Sequence, residues 1–156
     1  MKTFRDMLHI RKAIASDAKS IVDFQLNLAQ ETENLTLHRP TVEEGVKNGM
    51  SDPARGQYFV GEKDGKVIGS LFTTYEWSDW RNGTTLWIQS VYVDKEHRGQ
   101  GVFKSLYFHV KSLVEQSDQF TGIRLYVFRD NLKAKKVYTG LGMSGDHYEV
   151  FEWMRG

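Results

Sequence analysis

Between about Trp87 and Val127 the apolar period changes twice, and this stretch constrains the fold more than any other. Leu86-Trp87-Ile88-Gln89-Ser90-Val91-Tyr92-Val93 is apolar on both faces of an extended chain, which predicts a central strand. After His97-Arg98-Gly99-Gln100-Gly101, the residues Phe103, Leu106, Val110, Leu113 and Val114 recur three or four apart, as on one face of a helix. Ile123-Arg124-Leu125-Tyr126-Val127 then reads as a second strand. Strand, glycine-rich loop, helix and strand make a βαβ unit. Its crossover is right-handed, and its two strands are parallel near neighbours.

The rest of the chain supplies partners for that unit. Leu8, Ile10 and Lys12 alternate as a short first strand. Ser16-Asp17 offers an N-cap to Ala18, Ile21, Val22, Gln25, Leu26 and Ala29, whose spacing predicts an amphipathic helix over about 17–31. Thr41-Val42-Glu43-Glu44 opens a shorter helix that reaches about Met50, and Ser51-Asp52-Pro53 ends it. Tyr58-Phe59-Val60 and Val67-Ile68-Gly69-Ser70-Leu71-Phe72 flank an Asp64-Gly65 hairpin signal, and Arg81-Asn82-Gly83 is the next turn. Three antiparallel strands in a meander follow from those turns. Asp130-Asn131 can cap a helix to about Gly140, and Tyr148 to Trp153 reads as a last strand. The expected class is α/β: a mixed, mostly antiparallel central sheet of about six to seven strands with helices on both faces, in one domain over 1–156.

Composition removes several classes of function. The 156 residues carry 21 Lys+Arg against 20 Asp+Glu, a net charge of +1, without the excess that a nucleic-acid binder shows. With no cysteine there is no disulfide, thiolate metal site or Cys nucleophile. No apolar run approaches the roughly 18 residues of a membrane span, and Met1-Lys2-Thr3-Phe4-Arg5-Asp6 lacks a signal-peptide apolar region. The expectation is a cytoplasmic protein with no nucleic-acid or membrane partner.

Gly99 and Gly101 sit where a strand hands over to a helix N-terminus, a junction whose free N–H groups and positive dipole end suit a phosphate. A Walker A loop requires glycine directly before its Lys-Ser, and Phe103 stands there instead. The dinucleotide fingerprint requires a third glycine where this chain has Lys104. A third pattern fits. Arg98-Gly99-Gln100-Gly101-Val102 resembles the Arg/Gln-x-x-Gly-x-Gly/Ala segment of the GNAT superfamily of N-acetyltransferases. The preceding strand Gln89-Ser90-Val91-Tyr92-Val93 and the downstream Asn131-Leu132-Lys133-Ala134-Lys135-Lys136-Val137-Tyr138-Thr139-Gly140-Leu141-Gly142-Met143 are similar to further segments of that family.

The resemblance implies acetyl-CoA as cosubstrate and no metal. It implies that Arg98, Gly99, Gln100, Gly101, Val102, Phe103 and Asn131 belong to the cofactor site. Main-chain groups around Val91, Tyr92 and Val93 would hold the pantetheine arm, and a bulge in their strand would present an N–H to the thioester oxygen. Phe103 departs from the small residue of the pattern. It either packs inward with Leu106 and Val110, which the helical spacing favours, or crowds the cofactor.

Tyr138, on one helix face with Asn131 and Ala134, is the candidate acid for the leaving thiolate, or else a packing tyrosine. Gln89 stands where polyamine-acetylating relatives carry a glutamate; it can orient water or the amine but accepts no proton. The base is then another group, a water chain or bulk solvent. The resemblance places Glu31 and Glu33 beside the acceptor cleft as candidates, Glu76 and Asp79 also qualify, and solvated carboxylates are the plain alternative. Trp87 and the Tyr75–Trp80 run add aromatic faces that suit an ammonium group, or pack a hairpin. Lys133, Lys135 and Lys136 either meet the nucleotide phosphate or form a solvated face, and no metal spacing links His38, His97 and His109. The expected function is transfer of acetyl to a small primary amine by direct attack in a ternary complex, by a homodimer. The alternative is a catalytically weak acyl-CoA-binding sensor or partner-binding module on the same fold.

Overall fold

In a computed structural model, residues 7–156 are described, and the first six, on which the absence of a signal-peptide core was read, lie outside them. The chain separates into two compact units, a larger one ending at Arg124 and a smaller one spanning Leu125–Gly156.

In the larger unit, strand β1 (His9–Lys12) and a 3₁₀ turn (Ala15–Asp17) lead into helices α1 (Ala18–Glu33) and α2 (Arg39–Ser51). Strands β2 (Gln57–Lys63), β3 (Lys66–Ser78) and β4 (Gly83–Val93) follow, then a 3₁₀ turn (Lys95–His97), helix α3 (Val102–Glu115) and strand β5 (Phe120–Arg124). Five strands form one sheet in the order β1-β2-β3-β4-β5. The first three pairings are antiparallel, and β4 with β5 is parallel through α3, as the βαβ reading requires. The hairpin between β2 and β3 turns on Asp64 and Gly65 at φ 53° and 75°, the left-handed pair that an Asp-Gly hairpin uses.

The α/β class holds, with five strands among the described residues rather than six to seven. Two of the expected strands differ, and the second lowers the count. The strand expected over Ile123–Val127 is β5, which starts earlier and ends at Arg124. The segment Tyr148 to Trp153 carries no regular element, and Phe151 and Trp153 are 91% and 89% exposed. Alternating apolar residues supply β-propensity, which by itself does not fix a strand.

Helices cover both faces. On one, Ile21, Val22, Val46, Tyr58 and Val60 form a buried cluster, with Tyr58 stacked on Phe72 at 4.2 Å. On the other, Val102, Leu106 and Val110 of α3 are buried. A Cβ at Gly69 would lie 3.0 Å from Val102 Cγ1 and 3.1 Å from the Tyr92 carbonyl, so the missing side chain lets α3 start close against the sheet. At the far edge, Arg11 joins β1 to the first turn and to β2. Its Nη1 donates to Asp17 Oδ2 at 2.7 Å and its Nη2 to Glu62 Oε2 at 2.6 Å.

Candidate functional site

The centre of the sheet is irregular where β4 nears its end. Ser70 of β3 faces Tyr92 and Phe72 faces Gln89, so β4 spends one residue more than β3 between those two rungs. The extra residue is a β-bulge, with Ser90 in the left-handed region at φ 56°. Gln25 of α1 reaches the bulge, its Nε2 3.4 Å from the Ser90 carbonyl. The pairing of β4 with β5 ends at Trp87 opposite Arg124, so the bulge lies just beyond it. Asp94 donates its N–H to Ile68 across the β3 edge at 2.8 Å. Because successive N–H groups alternate between edges, those of Val91 and Val93 point the other way, to the β5 side.

The glycine loop closes the same end of β4. Gly99 and Gly101 lie at φ 74° and 79°, and a Cβ at either would meet nothing within 4 Å. Glycine is required there by conformation rather than by crowding. Gly101 is the N-cap of α3 and no side chain caps it. Helix geometry leaves the first-turn N–H groups of Val102, Phe103 and Lys104 without intrahelical acceptors. Val102 is buried against the sheet; Phe103 is half-buried on the flank, 6.3 Å from the Tyr107 ring. Gln100 folds back, donating to the Glu96 carbonyl at 3.0 Å.

Arg98 lies over Tyr92 and donates to the Val93 carbonyl at 2.9 Å and to Glu31 at 2.7 Å. Glu31 also accepts from the Tyr92 hydroxyl at 2.8 Å. Burial pushes the Glu31 carboxyl up, but hydrogen bonds from Arg98 and Tyr92 and the charge of Arg98 pull it below the usual range. Glu33, the last residue of α1, is exposed.

Gln89 is half-buried and, by register, shares a sheet face with Trp87 and Glu76. On that face the Trp87 indole N–H donates to Glu76 Oε2, and Arg124 donates to Glu76 Oε1 at 2.5 Å. Both carboxylate oxygens of Glu76 are thus engaged. Asp79 lies in the turn beyond, accepting the N–H of Trp80 at 3.0 Å. If this cluster holds a cationic acceptor, Glu76→Gln is expected to raise that acceptor's KM roughly tenfold, since hydrogen bonds to charged groups are worth about 1.5–3 kcal/mol. Asp79→Asn is expected to leave it within about twofold, as exposed substitutions away from key contacts do. Steady-state kinetics with the amine varied would check both, and an unmoved KM in Glu76→Gln would reduce the cluster to sheet packing.

The smaller unit contains α4 (Leu132–Gly140). Asn131 caps it, Oδ1 accepting the Ala134 N–H at 3.0 Å. Tyr138 is half-buried, and burial pushes its phenol above the ordinary 10.0. Lys133 and Lys136 are exposed, and Lys135 is half-buried. Of the histidines, His38 is exposed with Nδ1 2.9 Å from Thr41 Oγ1, His109 packs on Phe59, and His97 Nδ1 is buried. Among the described residues no group of three or more His, Asp or Glu side chains could hold a metal ion.

Sequence reasoning missed Ser90, Lys95 and Arg124. A serine in an apolar strand gives no sign of a bulge. The roles of Lys95 and Arg124 come from partners 64 and 48 positions away, Glu31 and Glu76.

Residues 22–143 match the model of the Acetyltransferase (GNAT) family. This chain belongs to that family. It is an acetyltransferase by family, and its fold recurs in solved structures. A possible acetyltransferase of Clostridium difficile 630 is 41% identical, with a TM-score of 0.89 over 96% of this chain and 98% of that one. A predicted acetyltransferase of Clostridium acetobutylicum, solved with acetyl-CoA, shares the fold at 15% identity and a TM-score of 0.74, over 94% and 96%. A transcriptional regulator of Bacillus halodurans C-125 does so at 18% identity and 0.81, over 95% and 100%. No curated protein matches the sequence. No helix among the described residues is long and apolar enough to cross a membrane.

Proposed function

We propose that this GNAT acetyltransferase moves an acetyl group from acetyl-CoA to a small primary amine by direct attack in a ternary complex. One observation carries the reading: the bulge at Ser90 and the outward N–H groups of Val91 and Val93 lie directly upstream of the uncapped first turn of α3. The chain thereby offers adjoining places for the two ends of such a cosubstrate. First-turn amides of α3 and the left-handed Gly99 and Gly101 take the diphosphate. The Val91 and Val93 amides pair with an extended amide-bearing arm as a further strand would, and an N–H freed by the bulge polarises the thioester oxygen.

Two proton movements complete the transfer. The attacking amine must lose a proton, and the departing thiolate must gain one. Tyr138, a phenol protonated at pH 7 and pushed further up by burial, is proposed as the donor. Gln89 is proposed to orient the amine or a water that carries its proton away. A serine or threonine acyl-enzyme is unnecessary, since the oxyanion stabilisation serves direct attack equally well. We further read the protein as a cytoplasmic homodimer; the exposed Phe151 and Trp153 support the dimer.

Titration calorimetry with acetyl-CoA, and with CoA in parallel, tests the donor site, with about one cofactor bound per chain expected. Gly101→Val places a β-branched residue in the left-handed region, where roughly 1–2 kcal/mol is lost before any amide is displaced. Its Kd for CoA should rise at least about tenfold, and an unchanged Kd would remove the loop from the site. A binding module without turnover is the second reading, favoured because Glu31 and Glu76 are both committed to cations. Thiol release across a panel of amines separates the two.

A further inference from the structure

The carboxylate of Glu31 is met from three sides. Arg98 Nη2 donates to Oε2 at 2.7 Å, the Tyr92 hydroxyl donates to Oε1 at 2.8 Å, and Lys95 Nζ stands 3.4 Å from Oε1. Arg98 is held twice more, by the Val93 carbonyl at 2.9 Å from Nε and by the Tyr92 ring, 5.2 Å beneath the guanidinium carbon. Tyr92 in turn packs on Phe24 of α1, ring centres 5.1 Å apart. The last turn of α1, the end of β4, the Lys95–His97 turn and the start of the glycine loop are therefore joined through one side chain.

We infer that Glu31 is a positioning residue: it clamps Arg98 and Lys95 so that the 94–101 loop stands ready for the cosubstrate diphosphate, and it takes no proton from the acceptor amine. The inference rests on the acetyl-CoA reading above and deepens it. A general base must present an oxygen to the amine, whereas both Glu31 oxygens already accept from Arg98 or from Tyr92 and Lys95. A base also works best with a pKa near the operating pH, and the same cations move this carboxyl away from it.

The geometry suits a clamp in another respect. Donating through Nε and Nη2 in two directions fixes the plane of the guanidinium, which a lysine at 98 could not reproduce. A carboxylate shared by two cations also limits the repulsion between Arg98 and Lys95 that would otherwise loosen the turn. Because Glu31 lies in the last turn of α1, the end of that helix and the anion loop are built as one piece.

Glu31→Gln is the decisive variant, with Asp23→Asn, an exposed ion-pair substitution on the same helix, as control. Amide hydrogen exchange of the free protein should quicken roughly tenfold over residues 93–102 and in the last turn of α1, the loss of one charge-assisted contact. The Kd for CoA by calorimetry should rise by a similar factor, while both limbs of the kcat/KM pH profile remain in place. Unchanged exchange in the loop overturns the clamp. So does an unchanged Kd for CoA with the acidic limb lost, which would make Glu31 the base. Wild-type protein that bound no CoA would sink the donor reading instead, and the exchange measurement would still judge the clamp.

Discussion

Arg11→Met is expected to cost the fold about 3–5 kcal/mol, the range for breaking one side of a buried ion pair. Asp17 is 5% exposed and its carboxylate accepts both guanidinium ends of Arg11, at 2.7 and 3.1 Å, together with the Ile14 N–H at 2.8 Å. Methionine keeps the length of the side chain and removes every donor, which leaves a buried charge. For a chain of this size the melting temperature should fall by about 10 °C, measured by calorimetry; a drop below about 3 °C would show the pair to be incidental. The same contact sets an acid dependence. Burial raises the Asp17 carboxyl, and the Arg11 and Ile14 hydrogen bonds outweigh it, leaving it below the ordinary 3.8. A depressed carboxyl stabilises the fold above its unfolded value and loses that contribution as pH falls through the folded one. Wild-type protein should therefore weaken below about pH 4, and Asp17→Asn should lack that step.

Tyr138→Phe is the variant with the largest expected effect on turnover. With Tyr138 as the proposed acid, its loss costs about 10²–10⁴ in rate, so kcat should fall by that factor while the Kd for acetyl-CoA stays within about twofold. The phenol lies above 10.0, so wild-type activity should hold from neutral pH upward and lose its acid only beyond that value. Stopped-time thiol release over a pH series checks both points. A variant that turned over like wild type would return Tyr138 to a packing role and leave the thiolate to solvent.

Much of this fold was legible because its signals are local. The Asp64-Gly65 turn, the apolar run of β4 and the helical spacing of α3 each lie within a dozen residues of themselves, and each was found where expected. Asn131 as a helix cap was equally local. The bulge at Ser90 was anticipated only from the family likeness, because a bulge is a count of one strand against another and no single strand contains it. The partners of Glu31 and Glu76 were invisible for the same reason, and those partners change what the two carboxylates can do. Tyr148 to Trp153 shows the opposite case, a local alternating pattern on which no regular element is found.

The bulge also divides β4 into two lengths that are out of step. Up to Gln89 every second residue shares a face, yet Gln89 and Tyr92, three apart, both face the α1 side opposite Phe72 and Ser70. Subtracting Ser90 would bring the halves back into phase and leave an uninterrupted ladder from Gly83 to Val93, free of a serine held at φ 56°. The sheet alone therefore has every reason to discard this residue, at a saving of about 1–2 kcal/mol. Its presence marks the point where the chain gives up regularity so that a backbone group can face outward. A chain one residue shorter would be the better sheet and, on the proposed function, the poorer catalyst.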